Sequence, residues 1–141
     1  MQVREPSAYP STWLNGSAVD SSPSQLIWES VQRLSPDQVA SFHNLSHVNM
    51  PENLSSDSDE FLKKLQLAIF ETNAVAAGGS NVGLFPTMAR LNHGCSGAFN
   101  SVYSWREDEG VLVVHALKDI KKGDELLTVY FGTRQTRDER R

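Results

Sequence analysis

A chain of 141 residues with 39% hydrophobic residues supports one domain with a core of limited extent, and excludes a second full domain. Its formal charge of −4 argues against broad electrostatic attraction to nucleic acid or an acidic membrane surface, so partners must be recognised locally. The single cysteine, Cys95, excludes an intrachain disulfide, and a cysteine-based zinc site would need ligands from outside the chain.

In chain order, residues 1–24 are rich in Ser and Pro without sustained periodicity, which predicts a loose arm with no secretory h-region. No stretch reaches the roughly 20 apolar residues that a membrane helix requires, and the expected setting is intracellular, in nucleus or cytoplasm. Residues 25–72 read as helical. Gln25 to Leu34 places Ile27, Val31 and Leu34 on one face, and Ser35-Pro36-Asp37 then supplies an N-cap with proline at the first helical position. A short helix follows, burying Val39, Phe42 and Leu45. After the acidic, Ser-rich stretch at 51–60 a longer helix is predicted from Ser58 to Thr72, with Phe61, Leu62, Leu65, Ala68 and Ile69 on its inner face and Lys63 and Lys64 in solvent. His43 and His47 share an i, i+4 spacing, but no third ligand stands in register, so they read as surface histidines.

Beyond "AAGGSNVG" the pattern becomes extended. "FNSVYSW" and "GVLVVHALKDI", separated by "REDE", predict a hairpin with Gly110 closing its turn. "KKGD" supplies a further turn before "ELLTVYFG", a third extended run. The core is assigned to residues 73–132, with a charged tail at 133–141.

The chemistry-bearing cluster is "ARLNHGCSGAFN", Ala89 to Asn100. Taken alone it could be a turn, a metal site, an activated nucleophile or a cofactor wall. Cys95 has no general-base context in the sequence to make it a nucleophile. Followed by "VVHALKDIKKGDELLTVY", the cluster resembles the C-terminal half of a SET domain, the fold of protein-lysine N-methyltransferases. Arg90, Asn92, His93, Cys95, Trp105, Ala116, Asp119, Ile120, Gly123, Glu125, Leu126 and Tyr130 occupy the family's positions in order. The likeness spans about Ile69 to Arg141 and is strongest to fungal members related to the class with a MYND insertion.

The resemblance implies an α+β fold of short, mainly antiparallel sheets with a knot-like Asn-His crossing beside a helical insert. It implies S-adenosyl-L-methionine as cofactor and a protein lysine, on a histone or another protein, as substrate. Asn92 and His93 would form a wall of the cofactor pocket, with Arg90 and Asn73 nearby. Tyr130 would be the catalytic tyrosine at the mouth of a lysine channel that Phe131 also lines. Cys95 would bind metal only with cysteines from outside the chain, and no metal is expected otherwise. The sequence departs from the family at "CSGAFN", where Gly97 and Ala98 replace a Pro-Asn pair and Asn100 is positioned to substitute for the missing asparagine. The N-terminal strands and their Gly-x-Gly cofactor segment are expected to be missing. The second reading is accordingly a truncated, non-catalytic SET-like interaction module that binds a partner through an exposed sheet edge and the acidic "REDE" hairpin. A small metal- or phosphate-binding protein is a third reading, without a ligand cluster or phosphate loop to support it.

Overall fold

Two Ser-Pro pairs and an isolated serine set the helical half. The computed structural model describes residues 22–48, 50, 55–79, 81–95 and 97–130, together with a strand at 2–6. Helix α1, Pro23–Val31, is capped by Ser22, whose side chain accepts from the Gln25 N–H. Helix α2, Pro36–His43, carries a reciprocal capping box between Ser35 and Gln38. Helix α3, Asp59–Asn73, is capped by Ser58 and has Asp59 and Glu60 in its first turn, where the positive end of the helix dipole favours carboxylates. Helix α1 ends at Val31, short of the expected Leu34, and Ser35 is extended, as the residue before a proline prefers.

Ile27, Val31, Phe42, Leu45 and Ile69 pack with Leu84 into the core of this half. On α3, Lys63 does more than face solvent: its ammonium lies 5.7 Å from the centre of the Trp28 ring.

The chain then turns through a minimal hairpin of β2, Val75–Ala76, and β3, Val82–Gly83. Leu84 and Phe85 follow in extended conformation and point oppositely, Leu84 into the helical core and Phe85 into a second core with Ala77, Met88 and Leu112. These two fully buried neighbours fasten the halves together. A 3-10 turn, Met88–Arg90, leads into β4, Asn92–His93.

The predicted hairpin is present as β5, Ser101–Arg106, and β6, Val111–Ala116, with Gly110 in its turn at φ +62°. The arm expected over residues 1–24 is not wholly loose. Gln2–Pro6 forms β1, antiparallel to β6, giving a three-stranded sheet in the order β1-β6-β5. Short-range pattern could not reveal this strand because its partner lies over a hundred residues away. It also covers the β6 edge of the hairpin. The third extended run contributes only β7, Leu127–Thr128, which pairs with β4 in parallel. Helices beside small sheets make the architecture α+β.

Candidate active site

Residues 91–100 lay out the site through backbone contacts that leave little room. Gly94 donates its N–H to the Thr128 carbonyl at 2.8 Å, extending the β4–β7 pairing. A Cβ on Gly94 would stand 2.7 Å from the Phe99 nitrogen and 2.9 Å from its Cα, so this close crossing of backbone on backbone requires glycine. The chain next turns with the Ala98 N–H on the Cys95 carbonyl at 2.8 Å, passing through Gly97 at φ +86°.

Asn100 closes the turn as a clasp. Its Oδ1 accepts from the Leu127 N–H at 2.9 Å, and its Nδ2 donates to the Glu125 carbonyl at 2.8 Å. The amide therefore does for the 125–127 segment what a neighbouring strand would do. Ser101 adds a hydroxyl donated to the Leu127 carbonyl at 2.9 Å.

Tyr130 is held from two directions. Its backbone N–H donates to His93 Nδ1 at 3.1 Å, and its hydroxyl donates to the Leu91 carbonyl at 2.5 Å. Because Nδ1 accepts, the neutral His93 ring carries its proton on Nε2, which lies 3.1 Å from Cys95 Sγ. The His93 and Tyr130 rings lie 5.3 Å apart and tilted by 49°. His93 thus uses its ring to position Tyr130, a contact that motif reading did not supply. Burial raises the Tyr130 phenol above its ordinary value, so it stays neutral and keeps its donor.

Beside Tyr130 opens a cleft of about 550 Å³ between the end of α3 and the β4 approach. Met88 and Leu91 are its buried floor, while Val48 and Tyr130 are exposed by 57% and 51% and form its lips. Ala74, Val75 and the Tyr103 ring complete an apolar wall, and burial also raises the Tyr103 phenol. Asn73 lines the cleft, but its Nδ2 is already given to the Ser46 and Ile69 carbonyls, each at 2.7 Å. Only its oxygen can serve a ligand.

Asn92 is exposed on β4 and donates Nδ2 to Glu125 Oε1 at 2.7 Å. Arg90 is exposed at the end of the 3-10 turn and is not among the residues lining the cleft. Phe131 lies outside the described residues. Cys95 is exposed, and no group of three potential metal ligands occurs among the described residues. His43 and His47 do not share a helix, since α2 ends at His43, whose Nε2 lies 3.3 Å from Gln66 Nε2. The structure thus gathers Tyr130 and Asn73 at one cleft, joins His93 to Tyr130, pairs Asn92 with Glu125, and leaves Arg90 outside the cleft lining. Sequence reading missed Tyr103, Glu71 and the Asn92–Glu125 pair. Only the alternation of β5 carried a signal for Tyr103.

A family model for the SET domain matches residues 16–131. Histone-lysine N-methyltransferase set5 of Schizosaccharomyces pombe (strain 972 / ATCC 24843) is 34% identical over 74 residues, covering 52% of this chain and 23% of that protein. The chain therefore spans less than a quarter of the length of this relative. With the family model matched over most of its length, and with the Asn-His strand and the following tyrosine joined in one site, the chain belongs to the SET domain family.

Proposed function

We propose that this chain carries the lysine-presenting part of an S-adenosyl-L-methionine-dependent protein-lysine methyltransferase. The observation that carries the reading is Tyr130, whose ring is a lip of an apolar cleft and whose hydroxyl is fixed to Leu91.

The donor set on β4 suits the cofactor. Asn92 gives its NH₂ to Glu125, leaving Asn92 Oδ1 as an exposed acceptor next to a carboxylate. That pair fits the ammonium of a methionine portion. Asn92 would hold this end and the β4 backbone at His93 would flank it, with the knot-like crossing of the family at the β4–β7 pairing. Once bound, the cofactor supplies a methyl group on a sulfonium centre that an amine can attack in line.

The chain's own groups prepare the amine. A lysine stem entering between Val75, Leu91 and the two tyrosine rings loses water, which lowers the pKa of its ammonium. Because the Tyr130 proton is committed to Leu91, its oxygen can act towards the lysine only as an acceptor. Accepting one amine N–H turns the nitrogen lone pair to a fixed direction, and such alignment is the main contribution a protein makes to this reaction. Thr72, Asn73 and Met88 keep the approach narrow. Protein substrates, histone or otherwise, follow from the same reading.

The test is methyl transfer from labelled S-adenosylmethionine by wild type and Tyr130→Phe, alongside titration with S-adenosylhomocysteine. Tyr130→Phe should lower turnover by about 100-fold, the order expected from lost alignment, with unchanged circular dichroism and cofactor affinity. Undiminished turnover would refute the role given to the hydroxyl. A folded wild-type chain that binds no S-adenosylhomocysteine would refute the reading for this chain.

A further inference from the structure

Among the residues lining the Tyr130 cleft, Glu71 stands out by charge. In that lining Glu71 is the sole ionisable residue besides the phenols of Tyr103 and Tyr130, and no cation is present. The carboxylate is exposed and makes no ion pair among the described residues.

Its position on α3 sharpens the point. Glu71 sits in the last turn of a 15-residue helix that has no basic residue there. Unpaired carbonyls give a helix C-terminus partial negative charge, so an anion at this end is destabilising and a cation would be favoured. Fold stability alone therefore gives no reason for a carboxylate at residue 71. A cationic guest would relieve both the helix end and the carboxylate, and the faces of Tyr103 and Tyr130 add two electron-rich surfaces on the same cleft.

The guest of Glu71 is not the lysine that reacts. That lysine must surrender its proton beside Tyr130, and a carboxylate partner would hold the proton on. A side chain that stays charged throughout suits an exposed rim carboxylate better, and arginine, always protonated and able to bind both oxygens, suits it best.

We propose that Glu71 is a specificity-determining residue that selects protein substrates carrying a second basic side chain, best an arginine, adjacent to the target lysine. The inference rests on the lysine-presenting reading of the cleft, and it adds a sequence requirement which that reading does not contain.

The experiment measures binding of fluorescently labelled peptides to the 141-residue chain by anisotropy, each with a central lysine flanked by Arg, Ala or Glu. Wild type should bind the Arg-flanked peptide roughly two- to fivefold more tightly than the Ala-flanked one, the range for an exposed ion pair, with the advantage shrinking as salt rises. Glu71→Gln should abolish the difference, and Glu71→Arg should transfer the preference to the Glu-flanked peptide. Equal affinity of wild type for the Arg and Ala flanks, absence of binding by folded protein included, overturns the proposal. So does an Arg preference that persists in Glu71→Gln. Replacing the central lysine by alanine tests the underlying reading separately. Affinity unchanged by that replacement, with the Arg preference intact, would leave Glu71 as a cation selector while removing the target lysine from the cleft.

Discussion

Removing the Asn100 amide should loosen the very segment that presents Tyr130. Asn100 is 7% exposed, and its side chain satisfies the Leu127 N–H at 2.9 Å and the Glu125 carbonyl at 2.8 Å. Asn100→Ala deletes both bonds yet leaves the residue's own backbone contacts, its N–H on the Leu127 carbonyl and its carbonyl under the Leu117 N–H. Two hydrogen bonds at about 1 kcal/mol each, with up to about 2 kcal/mol more for orphaned backbone groups, predict a loss of about 2–4 kcal/mol. In urea, with a slope of about 1.5 kcal/mol/M for a small domain, the midpoint should fall by about 1.3–2.7 M. Asn100→Asp keeps an acceptor for Leu127 but sets a carboxylate oxygen against the Glu125 carbonyl, so it should rescue little. A midpoint shift under about 0.3 M for Asn100→Ala would mean that water replaces the clasp at no cost, and the argument would fail.

Two other consequences concern buried polar atoms. Thr128 is fully buried and its Oγ1 has no hydrogen-bond partner among the described residues; Thr128→Val keeps the shape and removes that group, and should raise stability by about 1 kcal/mol. A drop in the urea midpoint would show that the hydroxyl is satisfied in solution. Desolvation holds the His43 imidazole below the ordinary histidine value of 6.5. The unfolded chain then binds the proton more readily, so the His43 contribution to stability is present above about pH 6.5 and lost as pH falls toward the lowered folded value. Urea midpoints across pH 4.5–8 should rise with pH through this window in wild type and rise less in His43→Gln. Parallel profiles would sink the assignment.

How much of this was legible in the sequence depended on the range of the interaction. The Ser-Pro pair at 35–36 marked the start of α2, because capping is settled inside four residues, whereas the equivalent pair at 22–23 went unread and α1 starts at Pro23, inside the expected arm. Gly110 and the alternation on each side of it located the hairpin for the same reason. Strand β1 was invisible, since nothing inside residues 2–6 records that residues 111–115 await them. In the site, the ordered motif pointed to Asn92, His93 and Tyr130, and the SET family match agrees with the motif. What each side chain touches was not legible. The parallel pairing of β4 with β7 converts a motif into contacts, and paired residues 35 positions apart in sequence carry no local sign of it.

That pairing explains why so many polar groups converge on so small a region. Strands β4 and β7 contribute two residues each, too few for a sheet to be stable by its own ladder. A longer pairing would hold Tyr130 firmly but would also enclose the Asn92 edge and narrow the cleft mouth. The chain instead holds Tyr130 with side chains acting on backbone: Asn100 on residues 125 and 127, Ser101 on 127, the His93 ring on the Tyr130 N–H, and the tyrosine's own hydroxyl on Leu91. Each of these bonds is directional, so together they restrict both the backbone and the phenol of Tyr130. The family motif is on this account a positioning device for Tyr130. Loss of any one of its polar members should displace the tyrosine before it unfolds the domain.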